Sequence, residues 1–302
     1  MKKISLFCGV ILTISTMLFV ACGKDKVPTI GNYFTVGNAT LVSDDMPEAS
    51  SPNNIEVLMN ENAIPGGSSY VSVVSEVPAR KILVGMKDQV GYYEVPLSNN
   101  RDNAYSFIMT IDQHIDLGEG ETSFSVLVAI VDENDEVSHI WESNVSLMTV
   151  GTGNLQVSLS FDNAKDVDLH LIEPEYLDMY GEPVSFYDRH IYYGIRVSAA
   201  GGELDLDSNV DCQIDNINNE NITYNETAIV PSGTYKVYVD LFNNCNPEIS
   251  TNYVVTVFYS GKLLVSKSGV FHSWAPSTEN PINEEYVDNN DAFLTFEIQN
   301  EL

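Results

Sequence analysis

The chain has 302 residues, with 14 Lys and Arg against 43 Asp and Glu and a formal net charge of −29. That balance excludes charge-driven binding of nucleic acid or anionic lipid and favours solubility and divalent cations, although most of the acids need be no more than a solvated surface. About 280 residues follow an N-terminal apolar run, a length that suggests two domains rather than one.

Lys2 and Lys3 precede the short, mostly apolar run Ile4 to Val20 and the small Ala21. Residues 1–21 therefore read as a secretory signal, too short and wrongly flanked to span a membrane. Leu18-Phe-Val-Ala-Cys22 resembles a bacterial lipobox, with Phe19 where Leu is usual. The resemblance implies cleavage before Cys22 and lipid on its sulfur, several acyl chains holding where one alone binds only marginally. The alternative is an ordinary signal with an incidental Cys. Gly23, where an Asp would imply inner-membrane retention, points to the outer membrane, and Gly23-Lys-Asp-Lys26 is weakly similar to the charged tetrads that send lipoproteins to the cell surface. Loss of residues 1–21 removes two lysines and no acid, leaving 12 basic and 43 acidic residues, net −31.

Residues 22–32 form a tether. From Tyr33 the pattern is all-β. Tyr33–Val42, Ile55–Met59, Tyr70–Ser75, Lys81–Met86, Tyr92–Val95, Tyr105–Ile111, Phe124–Val131 and Val137–Met148 are rich in Val, Ile, Tyr and Phe and separated by turn residues. Asp132-Glu-Asn-Asp135 should fold one strand back on the next. This spacing over residues 33–150 reads as an immunoglobulin-like β-sandwich, without the Cys–Trp–Cys core of antibody domains.

Gly151-Thr-Gly-Asn154 is a short boundary that should keep the two domains close. Residues 151–302 then offer strands at Leu155–Phe161, Asp166–Ile172, Ile191–Val197, Gly202–Leu206, Glu226–Val230, Thr234–Phe242, Tyr253–Tyr259, Lys262–Val270 and Phe293–Ile298, with Ser260-Gly261 as a tight hairpin and Trp274 to Asn290 as a long polar loop. The expected fold is all-β, two tandem β-sandwiches. Cys8 leaves with the signal and Cys22 takes lipid, so Cys212 and Cys245 remain as a pair, which in an exported chain reads as a disulfide.

Two acidic stretches carry the chemistry. In Asp166-Val-Asp-Leu-His-Leu-Ile-Glu-Pro174, Asp166, Asp168 and His170 alternate with Val167, Leu169 and Leu171; in Gly201-Gly-Glu-Leu-Asp-Leu-Asp207, Leu204 and Leu206 oppose Glu203, Asp205 and Asp207. Strand alternation puts the acids of each stretch on one face. If the two strands are neighbours, Asp166, Asp168, Asp205, Asp207 and Asp211 converge into an oxygen cage of the kind calcium takes. Val210 stands where the helix–loop–helix calcium motif needs Gly, so a sandwich site is expected instead. The alternative is that these acids face water separately or pair with arginine. His170, on the same face, opens a transition-metal reading, against which a lone His is more often structural.

Residues from about 155 to 298 resemble an uncharacterised bacterial family of secreted domains, often near von Willebrand type A modules. The likeness rests on Leu159-Ser-Phe161, Asp166-Val-Asp-Leu-His170, Pro174, Ile191-Tyr-Tyr193, Gly201-Gly-Glu-Leu-Asp-Leu-Asp207, Glu220-Asn-Ile222 and Pro231-Ser-Gly-Thr-Tyr235. Phe161 replaces a preferred Trp, Tyr176–His190 looks inserted, and the Cys212–Asn219 segment replaces a more Gly-rich one. The resemblance implies a β-sandwich and no known reaction.

Gly-x-Ser-x-Gly, His-Glu-x-x-His and phosphate-loop motifs are absent. Asp168 and Glu173, at odd spacing on one strand, face opposite ways and make a poor glycosidase pair. The expected function is a non-catalytic cell-envelope lipoprotein, a binding or adhesion module with a calcium site. Its expected partners are the membrane, through the lipid anchor, and a glycan or envelope protein. Tyr176, Tyr180, Phe186, Tyr187, Tyr192 and Tyr193 either stack on sugar rings or pack within the sandwich. The alternative function is a carbohydrate-active or peptide-cleaving enzyme using the acidic face.

Overall fold

The computed structural model describes residues 29–98, 102–278 and 282–299. Cys22 and the leader lie outside the described residues. The chain is all-β, with two tandem sandwiches. The first is built from β1 (Phe34–Val36), β2 (Thr40–Val42), β3 (Ile55–Leu58), β4 (Asn62–Ala63), β5 (Ser68–Ser75), β6 (Ala79–Met86), β7 (Tyr92–Pro96), β8 (Ala104–Ile111), β9 (Ser123–Asp132) and β10 (Trp141–Leu147). They form sheets of order β1-β8-β5-β3 and β2-β7-β6-β9-β10-β4. Between the sheets lies a core of alternate residues from both, including Phe34, Val71, Met109, Ile82, Phe124 and Val126. The single strand expected over Tyr33–Val42 divides in two. Asn38 takes a left-handed φ of 56°, and the halves join opposite sheets, so each sheet gains an edge strand.

The second sandwich comprises β11 (Leu155–Phe161), β12 (Asp166–Ile172), β13 (His190–Ile191), β14 (Gly202–Leu206), β15 (Asn219–Tyr224), β16 (Gly233–Asn243), β17 (Thr251–Tyr259), β18 (Lys262–Phe271) and β19 (Leu294–Ile298), with one short helix, α1 (Glu284–Asn289), inside the loop before β19. Its sheets run β14-β15-β11-β17-β18 and β13-β12-β16-β19. Leu155, Val157 and Leu159 of one sheet meet Val167, Leu169 and Leu171 of the other in a closed apolar core.

Two strand expectations fail here. Ile191–Val197 is a strand only at its start, because Tyr192 and Ile195 close a turn on each other. Glu226–Val230 is also a turn: the Asn225 carboxamide oxygen accepts the backbone N–H groups of Thr227 and Ala228. The strand is instead β15, whose Asn219, Asn221 and Thr223 make it too polar to stand out in the sequence.

That polarity faces the first sandwich. Gln156 Nε2 donates to the Pro65 carbonyl at 2.7 Å and to Asn221 Oδ1 at 3.0 Å, while Gln156 Oε1 accepts from Gln113 at 2.9 Å. Thr256 and Ser68 share a hydroxyl–hydroxyl bond of 2.7 Å. These buried hydrogen bonds fix one packing of the two sandwiches, since any slip would strand their donors and acceptors.

Candidate metal centre

β12 places Val167, Leu169 and Leu171 in the core, as its alternation requires. Its opposite face does not meet water. Asp166, Asp168 and His170 are 1%, 4% and 1% exposed. The covering comes from segments outside the regular strands. Phe186 packs with Ile172, Tyr238, Ile282 and Val287 in a second small core. Tyr192 stacks on His170 with ring centroids 5.2 Å apart.

β12 and β14 are not neighbours. They belong to opposite sheets, and the acids approach across the edge of the sandwich. One oxygen each from Asp168, Asp207 and Glu220 lie within 4.8 Å of one another. Asp166 and Asp211 stand beside them: the Asp211 N–H donates to the Asp166 carboxylate, and both charges act on Asp168. Asn243 Nδ2 donates to Asp166 at 3.2 Å.

Asp205, expected in the same cage, is elsewhere. β14 carries a bulge between Leu204 and Leu206 against β15. A bulge inserts one residue and re-aims those around it, so the period-two reading breaks there. The Asp205 carboxylate accepts from the Gly151 N–H and, at 2.7 Å, from Asn221 Nδ2. It braces the linker between the sandwiches.

Glu220 and Asp240, neither of them expected in the cage, also stand beside Asp168. Glu220 sits in β15, whose strand character was not read, and points inward with Ile222 and Tyr224. There its Oε2 accepts the Leu169 N–H at 2.7 Å, at the stretch of β12 that short β13 leaves unpaired. The Glu220-Asn-Ile222 signature was the available signal. Asp240 lies opposite Asp168 in the β12–β16 register and was readable from the alternation of Tyr235-Lys-Val-Tyr-Val-Asp-Leu241.

The electrostatics of this cluster are unfavourable without a counter-ion. Burial, then its carboxylate neighbours, pushes Asp168 far above the usual carboxylate range. Burial and the Asp168 charge do the same to Glu220, and burial raises Asp166 to about 6. Arg196 pairs with Asp207 at 2.9 Å, from a half-exposed position. Asp168 Oδ2 and Glu220 Oε1 are buried and accept no hydrogen bond. Buried carboxylate oxygens without donors are costly. Two of them converging in an acidic pocket fit a hard divalent cation, with Asp166, Asp168, Asp207 and Glu220 as oxygen donors.

The glycosidase pairing of Asp168 with Glu173 has no geometric basis. Glu173 is held apart by Tyr176 at 3.0 Å and by the Ser198 and Tyr224 hydroxyls, both at 2.5 Å. The six aromatics divide: Phe186 and Tyr192 pack over the two histidines, whereas Tyr180 is 83% exposed. Tyr180 stands with Leu177, Met179 and Ile229 around a shallow apolar cavity of about 690 Å³. Cys212 and Cys245 are bonded, with Cα atoms 5.6 Å apart, which pins the segment after Asp211 to the end of β16.

No protein-family model and no curated protein matches the chain. Among solved structures, fibronectin(III)-like modules of Clostridium thermocellum CbhA are similar over 72% of this chain and 93% of theirs, at 10% identity and a TM-score of 0.21. BcpA, the major pilin subunit of Bacillus cereus, is similar over 62% of this chain and 58% of its own, at 10% identity and a TM-score of 0.18. These are distant likenesses to β-sandwich modules.

Proposed function

We propose that the protein is a non-catalytic binding or adhesion module of the cell envelope, lipid-anchored through Cys22 at the outer membrane, whose second sandwich is completed by calcium. The observation that carries the calcium reading is the pair of buried, unpartnered oxygens, Asp168 Oδ2 and Glu220 Oε1, on two residues whose carboxylates cluster with Asp207 within 4.8 Å. An all-oxygen, flexible donor set of this charge suits calcium better than magnesium, which keeps its waters and needs a tighter octahedron. The anchor rests on the Leu18–Cys22 sequence, and the non-catalytic reading on the burial of Asp166, Asp168 and Glu220. The likeness to an uncharacterised secreted domain family agrees with a module rather than an enzyme.

The deciding experiment is thermal unfolding of the chain from residue 22 onward in calcium, magnesium, sodium chloride and EDTA. Calcium alone should raise the midpoint. No calcium-specific shift in a folded chain overturns the calcium reading. Palmitate labelling that depends on Cys22 and globomycin-sensitive processing test the anchor. A glycan array with Tyr180→Ala as control tests the sugar partner.

A further inference from the structure

The acidic cluster has a second side that the calcium reading does not use. Beyond Asp168, away from Glu220, one ligand atom each from Asp168, His170 and Asp240 also lie within 4.8 Å of one another, and all three residues are buried. We propose that these three side chains form a separate site for a divalent transition metal, zinc foremost, with Asp168 shared between it and the oxygen-only pocket.

The histidine is the independent observation. His170 is 1% exposed, and its Nε2 has no hydrogen-bond partner. The nearest acid, Asp240 Oδ2, is 4.0 Å away, too far for a hydrogen bond. The other ring nitrogen, Nδ1, lies 2.9 Å from His190 Nε2. One of those two nitrogens carries the proton between them. If His170 Nδ1 donates, Nε2 presents a bare lone pair to two carboxyl groups, an arrangement that a bound cation completes. If Nε2 carries the proton, it is a buried donor with no acceptor in reach. A metal at Nε2 removes both difficulties.

The surroundings match what a ligating imidazole needs. Histidines that bind metal commonly donate their second N–H to a fixed acceptor, which sets tautomer and ring angle. His190 occupies that position. Tyr192 stacks on both rings, 5.2 Å from His170 and 4.2 Å from His190 between centroids, so neither can swing. On the carboxylate side, the Thr278 hydroxyl donates to Asp240 Oδ1. The Leu241 N–H also donates to this carboxylate, and its Oδ2 is the atom 4.0 Å from His170 Nε2. Asp168 Oδ2 is unpartnered as well.

The donor chemistry selects the metal class. One imidazole and two carboxylates give a neutral set for a divalent ion. Imidazole suits zinc, copper, nickel and iron, whereas calcium and magnesium take oxygen. Three protein donors leave a fourth position of a zinc tetrahedron for water. The two sites are distinguishable because His170 and Asp240 belong to this one alone, and Glu220 to the calcium pocket alone.

The test is titration of the EDTA-stripped, buffer-exchanged chain from residue 22 onward with zinc alone by calorimetry, and with cobalt(II) by visible absorption. One equivalent of zinc should bind in the wild type, and cobalt should give bands of nitrogen-and-oxygen coordination. Asp240→Asn, which keeps the Thr278 acceptor, and His170→Gln should each weaken zinc at least 10-fold, the scale on which single metal-site changes act. Glu220→Gln should leave zinc within a few-fold while abolishing the calcium response. Should His170→Gln fail to fold, Asp240→Asn alone decides. Absence of stoichiometric zinc binding in the folded wild type overturns the proposal. So does zinc binding unchanged in Asp240→Asn, which would place the ion on an exposed histidine. Zinc without calcium, or calcium without zinc, tells which of the two readings fails.

Discussion

Glu220→Gln should make the metal-free protein more stable and deaf to calcium. The glutamine carbonyl can still accept the Leu169 N–H that Glu220 holds at 2.7 Å, so the backbone contact survives and only charge is lost. In the metal-free wild type the Glu220 and Asp168 oxygens lie within 4.8 Å. At an effective dielectric near 20, two ionised groups at that distance repel by about 3.5 kcal/mol. Proton uptake relieves part of this, since both groups are pushed up by burial and by each other, and Arg196 already offsets Asp207. A realised gain of about 1–3 kcal/mol remains, or roughly 2–12 °C in the midpoint at about 2–4 °C per kcal/mol for a domain of this size. The wild type should gain about 2.7 kcal/mol at calcium a hundred times its dissociation constant; the variant should gain nothing. Scanning calorimetry of both proteins in EDTA and in calcium, with sodium chloride at matched ionic strength, reads the whole pattern. A variant less stable than wild type in EDTA, or one that responds equally to calcium, refutes the charge argument.

Asp205→Asn should leave the calcium response intact while Asp207→Ala abolishes it, because the bulge in β14 turns Asp205 to the linker; equal loss in both would restore the five-aspartate cage. In EDTA, stability should fall as pH rises. Asp166 moves from 3.8 to about 6 in the fold, so its contribution is fully present below about pH 4 and lost through pH 6; Asp168 and Glu220, also raised, extend the loss upward. Urea unfolding at pH 7 and pH 8.5 measures this, above the range in which burial of His170 and His190 in their neutral form opposes the trend, and a flat or rising profile contradicts it. Replacing Cys212 and Cys245 with serine opens a loop with sequence separation 33, worth about 3.8 kcal/mol on the chain-entropy model; the midpoint should drop by roughly 8–15 °C, and non-reducing peptide mapping should find the linked pair in the wild type. Gln156→Ala should cost about 2–4 kcal/mol through the stranded partners Gln113, Pro65 and Asn221, seen in the denaturation midpoint; a neutral result would mean water replaces the amide.

The all-β character, most strands and the Cys212–Cys245 pair were legible because each leaves a local mark: period-two alternation, β-branched and aromatic runs, turn residues, and an even cysteine count. What failed depended on pairing. Asp205 and Asp207 share a face on any regular strand, and only β15, opposite, shows that a bulge separates them. Ile191–Val197 is apolar enough for a strand, yet the Tyr192–Ile195 turn ends it so that Tyr192 can cover His170. Glu220 and Asp240 stand 52 and 72 residues along the chain from Asp168. Neither has a local pattern that ties it to Asp168; their meeting comes from a β12 edge that short β13 leaves open, and from the β12–β16 register.

Two loop segments bear on the same site. The stretch Tyr176–His190 delivers Phe186 and His190, which pack over the outer face of β12. The stretch Cys212–Asn219 opens beside Asp211, whose N–H reaches Asp166, and is held by the disulfide to Cys245, two residues beyond Asn243, the donor to the other side of Asp166. An acidic face left open to water would need neither device, since hydrated carboxylates repel weakly. Roofing the face lowers the local dielectric and raises every repulsion within it, a change that destabilises the fold unless something positive is enclosed. Arg196 is half-exposed and divides its guanidinium between Asp207 and the Leu204 carbonyl. The segments that bury Asp166, Asp168 and His170 therefore raise the cost of leaving these acids charged, which proton uptake or an enclosed cation relieves.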